Sequence, residues 1–353
     1  MIKNTEDLFI KVKLLSTEQS DFIWKRDIIP ELEVDLVEPN ISRLFRNTNF
    51  ESIDLDGLNL GPTVYTASMF EGCNRLQSLN LGDLNTKHVI KMDNMFNGCE
   101  RLQELDLTTI DVRDVASMEG MFNGCKSLKT ITFGYFSSRC LETTANMFKN
   151  CESLESIDLS DFNTESVKTM EGMFMDCKRL GKLDLSNFDT RSCIYMSAMF
   201  SGCYGLYSLN LDGFNTENVE EMDGMFSDCT GLEKLDLSSF NTEKLVRAEE
   251  MFYCCENLES LDVSSFKTPN INEMGRMFGN CKNIDGLDLS GFLVSNSDVA
   301  YGMFESASIR NVTLPVDGYS SGIVEKELAK MDPIEEYEND EDYSDPFSSS
   351  SLF

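Results

Sequence analysis

The sequence has a single histidine and a single tryptophan among its 353 residues. It has no His-Glu-x-x-His motif and no Gly-rich phosphate loop, and one histidine, His88, leaves little material for a Ser-His or Cys-His pair. No Cys-x-x-Cys spacing occurs either, which argues against a zinc site of the usual kind. We therefore expect a protein that is not an enzyme and that carries no cofactor and no metal.

Positive charge is scarce in this chain. Lys and Arg number 30 against 61 Asp and Glu, which gives a formal net charge of −31. Nucleic acids and anionic membrane surfaces carry the same sign, so neither is expected as a partner. No apolar run approaches the ~18 residues that a membrane-spanning helix needs, so membrane insertion is not expected.

The N-terminal stretch lacks the features of a signal peptide. Residues 1–15 mix acidic with apolar residues and contain no small-residue cleavage site. This pattern favours a cytoplasmic location.

What the sequence does contain is a 26-residue repeat. A Met-Phe pair recurs ten times without a slip, and a Cys follows four residues after the Met in nine of those copies. A fixed period of this length, combined with a Leu-x-x-Leu-x-Leu motif, is typical of a solenoid of stacked units. The pairs begin at residues 69, 95, 121, 147, 173, 199, 225, 251, 277 and 303.

Each unit predicts one strand and one short helix. At Leu183-Asp184-Leu185, alternation predicts a strand whose two leucines point inward and whose Asp points outward. Apolar residues spaced at three and four from Val219 to Leu232 predict a helix, with Asn215-Thr216 as its N-terminal cap. The fold class is then α/β, a leucine-rich-repeat solenoid with one parallel sheet on one face and short helices on the other.

The repeat also divides the chain into an array with two caps and a tail. We assign residues 1–43 to an N-terminal cap with a partial first strand, 44–314 to the array, 315–330 to a C-terminal cap and 331–353 to a disordered, acidic, Ser-rich tail. Within the array, 44–68 is a degenerate copy, 69–302 holds the regular copies and 303–314 is a degenerate last copy. In the N-terminal cap, alternation around Val12 predicts a strand, and Ser16 to Pro30 predicts a short helix.

Nine of the twelve cysteines share one register of the repeat. Their apolar neighbours predict a buried column of thiols, because free Cys packs as a small hydrophobe. Adjacent copies would stack at ~4.8 Å, so distance alone does not exclude a bridge. We expect reduced thiols and no disulfide.

The units Met-Phe-Ser-Gly-Cys at 199–203, Leu-Glu-Lys-Leu-Asp-Leu-Ser-Ser-Phe-Asn-Thr at 232–242 and Val219-x-x-Met222 carry a family resemblance. They resemble the BspA-type leucine-rich repeats, the Met-Phe-rich DUF285 family of bacterial surface proteins, some protist surface proteins and some large DNA viruses. The resemblance covers about residues 44–314 and implies a leucine-rich-repeat solenoid that works by binding, often as an adhesin. It also implies a cell-surface or secreted location as the alternative to the cytoplasmic one.

The outward acidic residues of the strands form the first candidate site. Stacked carboxylates would make a negative strip that attracts a basic protein or a hard cation, whereas the plainer interpretation is that they only solvate the sheet. Like charges this close should raise some pKa values unless Lys182 and Lys234 screen them. The candidates are Asp158, Asp184, Asp236, Asp262 and Asp288, in a column that continues through Asp54 and Asp106, with Asn80, Asn210 and Thr132 as departures.

Three tyrosines that break the repeat form the second candidate site. Tyr204 and Tyr207 stand where other copies have mostly polar residues, and Tyr195 lies just upstream. Exposed tyrosines are enriched at binding hot spots, and neutral variation of surface positions is the other interpretation.

These observations predict a non-catalytic protein-interaction module of the intracellular scaffold type. Its partner would be a protein, with a basic protein as the candidate, and would bind the sheet face of the solenoid. A surface-exposed adhesin or host-interaction protein is the alternative, and a self-assembling structural protein is a third.

Overall fold

The computed structural model describes residues 12, 23–24, 40–56 and 63–331, and shows a solenoid of coils that stack in register every 26 residues. The predicted partial strand at 34–36 and the predicted tail beyond residue 331 fall outside the described residues. The strands are β1 (Ile23–Trp24), β2 (Ser52–Asp54), β3 (Ser78–Asn80), β4 (Glu104–Leu107), β5 (Thr130–Phe133), β6 (Lys182–Asp184), β7 (Ser208–Asn210), β8 (Lys234–Asp236), β9 (Ser260–Asp262), β10 (Asp285–Asp288) and β11 (Arg310–Thr313), and the helix is α1 (Gly318–Leu328).

The strands pair in parallel, each residue opposite its equivalent in the next coil. In β6 the central Leu183 is buried and Asp184 is exposed, so the expected inward leucine and outward carboxylate are both seen. The pairing is discontinuous, with sheets β1-β2-β3, β4-β5, β6-β7, β8-β9 and β10-β11. Residues 155–159, where the sequence predicts a strand, do not form one.

Consecutive turns replace the helices that the sequence predicts in each repeat. The N–H of Phe96 donates to the carbonyl of Met121 in the next coil (2.9 Å), whereas a helix would require a carbonyl four residues earlier. None of the repeats in residues 63–317 contains a helix, so the α/β interpretation with helices on one face is not confirmed. The three-and-four spacing arises because tight turns wrap the chain around its core and bring the same residues inside.

Two positions in every regular turn segment have a left-handed backbone, namely the residue before Met and the residue before Cys. Gly124 has a φ of 73° and Asn150 a φ of 59°, and Gly and Asn tolerate this region better than other residues. The left-handed residue aims its N–H along the array, so that Asn150 donates to the carbonyl of Met175 (2.7 Å). These positions therefore supply the hydrogen bonds between coils.

A second line of hydrogen bonds comes from the threonine of the Asn-Thr pair. Thr216 is buried, its Oγ1 donates to the carbonyl of Asn241 (2.9 Å), and it accepts the N–H of the same residue (2.8 Å). Thr190 and Thr242 do the same in neighbouring coils. The Asn-Thr pair is therefore a link between coils and not the cap of a helix.

The core contains two stacked columns of phenylalanine. Rings of the Met-Phe pairs are near parallel, with centroids 5.5 Å apart for Phe148–Phe174 and 5.9 Å for Phe174–Phe200. Rings of the second column are 6.5 Å apart for Phe188–Phe214 and 6.3 Å for Phe214–Phe240. The coils are thus more tightly spaced at the Met-Phe side, which is also the side where hydrogen bonding between coils is continuous.

The cysteine column is buried and reduced. Each thiol donates to the carbonyl of the Phe in the preceding coil, as Cys177 does to Phe148 (3.2 Å). The same carbonyl accepts the N–H of Cys151 (3.1 Å), so both lone pairs are used. Burial raises the pKa of Cys125 and Cys203 to about 12. All twelve cysteines are free thiols in the structure.

The N-terminal segment differs from its prediction. Ile23 and Trp24, placed in a helix by the sequence pattern, form β1 and pair in parallel with Ser52 and Ile53 of β2. Val12, placed in a strand, is helical and buried. Pairing with the first coil overrides the local helical pattern, because a free strand edge would otherwise remain there.

At the other end, α1 covers the last coil. The Asp317 side chain caps the helix by accepting the N–H of Ser320 (2.8 Å). The buried carboxylate of Glu327 accepts the N–H of Gly302 (3.1 Å) and an ammonium hydrogen of Lys330 (2.6 Å). Gly302 is a left-handed residue of the turn segment, so Glu327 supplies the acceptor that a further coil would have provided.

We predict that the Met-Phe column contributes more in the middle of the array than at its end. Phe174→Ala removes two ring contacts and leaves a cavity between coils, and should cost about 3–5 kcal/mol of unfolding free energy. Phe304→Ala removes one ring contact, with Phe278, and should cost clearly less. Urea unfolding followed by circular dichroism measures both, and equal losses would contradict the stacking account.

We also predict that the cysteine column makes the fold sensitive to alkali. Unfolded thiols ionise at about pH 8.5. Burial raises the pKa of every thiol in the column from Cys99 to Cys281, to about 12 for Cys125 and Cys203, so the stability present below about pH 8.5 is lost as the pH rises toward 12. Each thiol contributes a slope of about 1.4 kcal/mol per pH unit within that window. Urea midpoints measured between pH 7.5 and 10 should fall steeply, and less steeply for Cys177→Thr, which imitates Thr48 at the same register.

Candidate functional site

The outward aspartates form a regular column at the ends of the strands. The Asp184 Oδ1 accepts the N–H of Ser186 (3.0 Å), and the Asp236 Oδ1 accepts that of Ser238 (2.9 Å). This side-chain turn closes the strand and starts the next loop. The same bond is made by Asp54, Asp106, Asp158, Asp262 and Asp288.

In four aspartates of the column these hydrogen bonds lower the pKa, contrary to the expected rise. In Asp158, Asp184 and Asp236 the first cause is the backbone N–H of the serine two residues on, which stabilises the ionised carboxylate. The pKa of Asp106 is lowered in the same way by Thr108. For these four aspartates the expected rise in pKa was wrong, because each carboxylate is held by its own turn and faces solvent.

Asparagine makes the same turn without a charge. The Asn80 Oδ1 accepts the N–H of Gly82 (3.0 Å), and the Asn210 Oδ1 accepts that of Asp212 (3.1 Å). The fold therefore requires a side-chain oxygen at this register and does not require a carboxylate. The negative charge of the aspartates is therefore not needed for the turn that their side-chain oxygens form.

The column aspartates have no ion-pair partner among the residues that the structure describes. In residues 40–56 and 63–331, the ion pairs join Lys and Arg to other carboxylates, such as Lys168 to Glu142 (2.9 Å) and Arg247 to Asp223 (2.7 Å). None of the seven column aspartates is in an ion pair with a described residue. Lys182, expected to screen Asp184, lies over the ring of Tyr207 with its Nζ 5.6 Å from the centroid.

The tyrosines lie on two different parts of the coil. Tyr204 and Tyr207 precede β7 and are 44% and 60% exposed. The Tyr207 ring covers Gly181, where a Cβ would lie 2.8 Å from its Cε1. Tyr195 belongs instead to a line of isolated bridges, between Thr169 and Glu221. The structure thus brings Tyr207 next to Lys182 and β6, and places Tyr195 on another side of the coil.

One motif that sequence reasoning missed is Gly318-Tyr319-Ser320-Ser321-Gly322, which has the Gly-x-Ser-x-Gly spacing of a hydrolase nucleophile. In a hydrolase the serine is exposed on a strand-to-helix turn. Here Ser320 is buried in the first turn of α1, where its Oγ donates to Asp317 (2.7 Å) and accepts the N–H of Val294 (2.9 Å). These bonds attach the helix to the last coil, so the serine is structural.

Sequence reasoning also missed an opening in the strand face at residues 131–136 and 158–162, which encloses a cavity of about 210 Å³. The available signal was Phe133, which stands where the other copies have Leu or Val.

No helix among the described residues is long and apolar enough to cross a membrane.

The repeats match a protein-family model described as "Mycoplasma protein of unknown function, DUF285", at residues 39–155, 133–233 and 206–316. No curated protein matches the chain.

Among solved structures, a leucine-rich repeat protein from Bacteroides ovatus ATCC 8483 is 15% identical, with 72% of this chain and 83% of that one covered and a TM-score of 0.24. A leucine-rich cell surface protein from Faecalibacterium prausnitzii A2-165 is 18% identical, with 73% and 84% covered and a TM-score of 0.30. A TLR13–ssRNA13 complex is 16% identical, with 88% and 45% covered and a TM-score of 0.31. The family model spans most of the array, and the chain belongs to the DUF285 family.

Proposed function

We propose that this chain is a non-catalytic protein-interaction module that binds a basic protein through the strand face of its solenoid. The observation that carries the proposal is the column of seven aspartates without counter-ions among the described residues. Asn80 and Asn210 support the same turn without charge, so the fold does not account for the seven carboxylates. Carboxylates at one register of a rigid repeat scaffold attract and orient a basic surface.

The regular spacing of the column suits an extended partner. Strand-to-strand pairing fixes equivalent aspartates, for example Asp236 and Asp262, opposite each other. Backbone bonds to the following serines fix the carboxylate of each one. Preorganised charges lose little side-chain entropy when a partner binds, so a partner with several Lys or Arg residues gains from each contact.

The proposal includes an intracellular scaffold role. Its support is the reduced cysteine column, since thiols persist in reducing compartments. Cys140 is exposed, so its labelling by a thiol reagent reports where the protein is located.

In intact source cells, Cys140 should not react with a membrane-impermeant thiol reagent, and it should react with the reagent after lysis. Labelling before lysis would instead favour a surface-exposed protein.

We predict that the interaction depends on salt and on the column charges. Proteins of the source cell retained on the immobilised chain should elute as NaCl is raised toward 1 M, where the screening length falls to about 3 Å. A triple variant, Asp184→Asn, Asp236→Asn and Asp262→Asn, keeps the turns and should lose at least about tenfold in affinity.

The matched control removes the same charge from another part of the coil, with Glu119→Gln, Glu171→Gln and Glu220→Gln. These residues are exposed and lie beside the line of isolated bridges. Binding that is unchanged in the aspartate variant, or equally weakened in the control, would contradict binding at the column.

The tyrosines beside the column generate a separate prediction. Tyr204→Ala with Tyr207→Ala should weaken binding by about tenfold or more, because exposed tyrosines at the edge of the charged face add apolar contact. Tyr301→Ala is the control, since Tyr301 is 66% exposed on the last coil. Isothermal titration with the purified partner measures the affinity of the wild type, the double variant and the control. A loss in the double variant equal to that in the control would show that the tyrosines are not part of the site.

A further inference from the structure

One coil boundary on the strand face is built differently from the others. The copy from Met121 has Thr132-Phe133-Gly134-Tyr135-Phe136 where the copy from Met147 has Asp158-Leu159-Ser160-Asp161-Phe162. The cavity of about 210 Å³ lies between these two loops. Its volume suits one side chain and is smaller than a typical small-molecule site.

Asp161 leaves one side of the cavity open. In several other coils, a donor or a glycine at this register closes the gap to the loop behind it, whereas Asp83 is a further carboxylate at the register. Asn187 donates to the carbonyls of Leu159 (3.0 Å) and Ser160 (3.2 Å). Gly213 lies so close that a Cβ would be 2.3 Å from the carbonyl of Ser186. Asp161 forms no hydrogen bond with the loop at 133–136, because a carboxylate brings acceptors toward a loop of carbonyls.

The wall of the cavity is aromatic. The rings of Phe133 and Phe136 are 4.6 Å apart, and the ring of Phe162 lies 5.5 Å from that of Phe136. Phe133 is half-buried, and the neighbouring Tyr135 is 73% exposed. Gly134 holds this loop against the coil behind it, since a Cβ there would lie 2.6 Å from the carbonyl of Thr108.

The rim of the cavity is anionic. Asp158 and Asp161 are exposed, and neither forms an ion pair with any residue that the structure describes. The backbone N–H of Ser160 holds Asp158 in place (3.0 Å) and lowers its pKa. Aromatic faces beside two unpaired carboxylates form an environment for a cation that is flat enough to stack.

We propose that this cavity is the anchor point of the basic partner and binds one arginine side chain. The guanidinium would stack on the half-buried Phe133 and donate to Asp158 and Asp161, and a lysine ammonium could not do both with the same geometry. The inference rests on the proposed function, because it names the partner residue that docks at one place on the strand face.

The test uses the full chain and three five-residue peptides, acetyl-Gly-Ser-X-Ser-Gly-amide with X as arginine, lysine or norleucine. Ligand-observed NMR should show binding of the arginine peptide, with the other two weaker by about tenfold. Asp158→Asn and Asp161→Asn should each weaken the arginine peptide by about tenfold or more, and Phe133→Leu, which restores the common residue, should do the same.

The controls come from the chain itself. Glu171→Gln removes one exposed carboxylate beside the line of isolated bridges, outside the aspartate column, and should leave peptide binding unchanged. Asn at 158 is expected to keep its turn, as Asn80 does. Asn at 161 is expected to donate to the loop behind it, as Asn187 does, so both variants should retain the wild-type melting temperature or exceed it.

Equal binding of the arginine and norleucine peptides, or equal binding by wild type and Asp161→Asn, would overturn the assignment. Equal binding of the lysine peptide would overturn the choice of arginine. The peptides do not require the partner, so a negative result here leaves salt-dependent binding at the aspartate column standing. If the triple variant of the aspartate column loses partner binding but still binds the arginine peptide, the column and the cavity act as separate sites.

Discussion

The structure depends on hydrogen bonds that run from one coil to the next through the Met-Phe turns. In each regular turn segment, the N–H of Phe and the N–H groups of two left-handed residues all point along the array, as for Phe174, Gly172 and Asp176. The threonines add further bonds to the next coil, and the thiols add bonds to the preceding one. A coil without a neighbour leaves these groups unsatisfied, so stability comes from stacking and the ends must be covered. Glu327 shows this at the C-terminal end, where its carboxylate replaces the acceptor of a missing coil.

The sequence predicts the stacking well because the repeat is exact in length. The period, the buried Met, Phe and Cys registers, and the inward leucines around an outward Asp all follow from position alone. It does not predict the turns, because residues inside a tight coil and residues on one face of a helix both recur at three and four. The left-handed positions were the overlooked evidence: Gly, Asn and Asp at 120, 146 and 176 are poor helix formers and good turn formers. At the N-terminus, pairing of Ile23 and Trp24 with the first coil cannot be inferred from local pattern, since it depends on a contact with residues that lie far along the chain.

The candidate site illustrates a second limit of sequence reasoning. From the sequence, the aspartate column could be placed on the outer face of the sheet, but its hydrogen bonds could not. The structure divides the role of each Asp into a turn-forming oxygen, which Asn also supplies at 80 and 210, and a charge that the fold does not use. The expected counter-ion, Lys182, makes a cation–π contact with the ring of Tyr207. Charge that is neither needed for the turn nor neutralised by a described neighbour is the part of the column that a partner can use.

In a repeat protein, a departure from the unit is informative only when the neighbouring coils show what the unit normally does there. Phe133 alone is a larger apolar residue in place of Leu, and Asp161 alone is one more exposed carboxylate on an acidic protein. The role of Asp161 becomes clear from the equivalent residues Asn187, Ser265 and Gly213. Each of them closes the same gap, either by donating to the loop behind it or by lying against that loop. Asp161 instead brings a second acceptor toward a loop of carbonyls. Asp83 is a further carboxylate at this register, but the coil behind it has Leu55 at the position of Phe133, so the two departures meet at the boundary of Asp161. Such an arrangement is completed by a group that carries several donors and a positive charge, which is the chemical basis for assigning an arginine to this place.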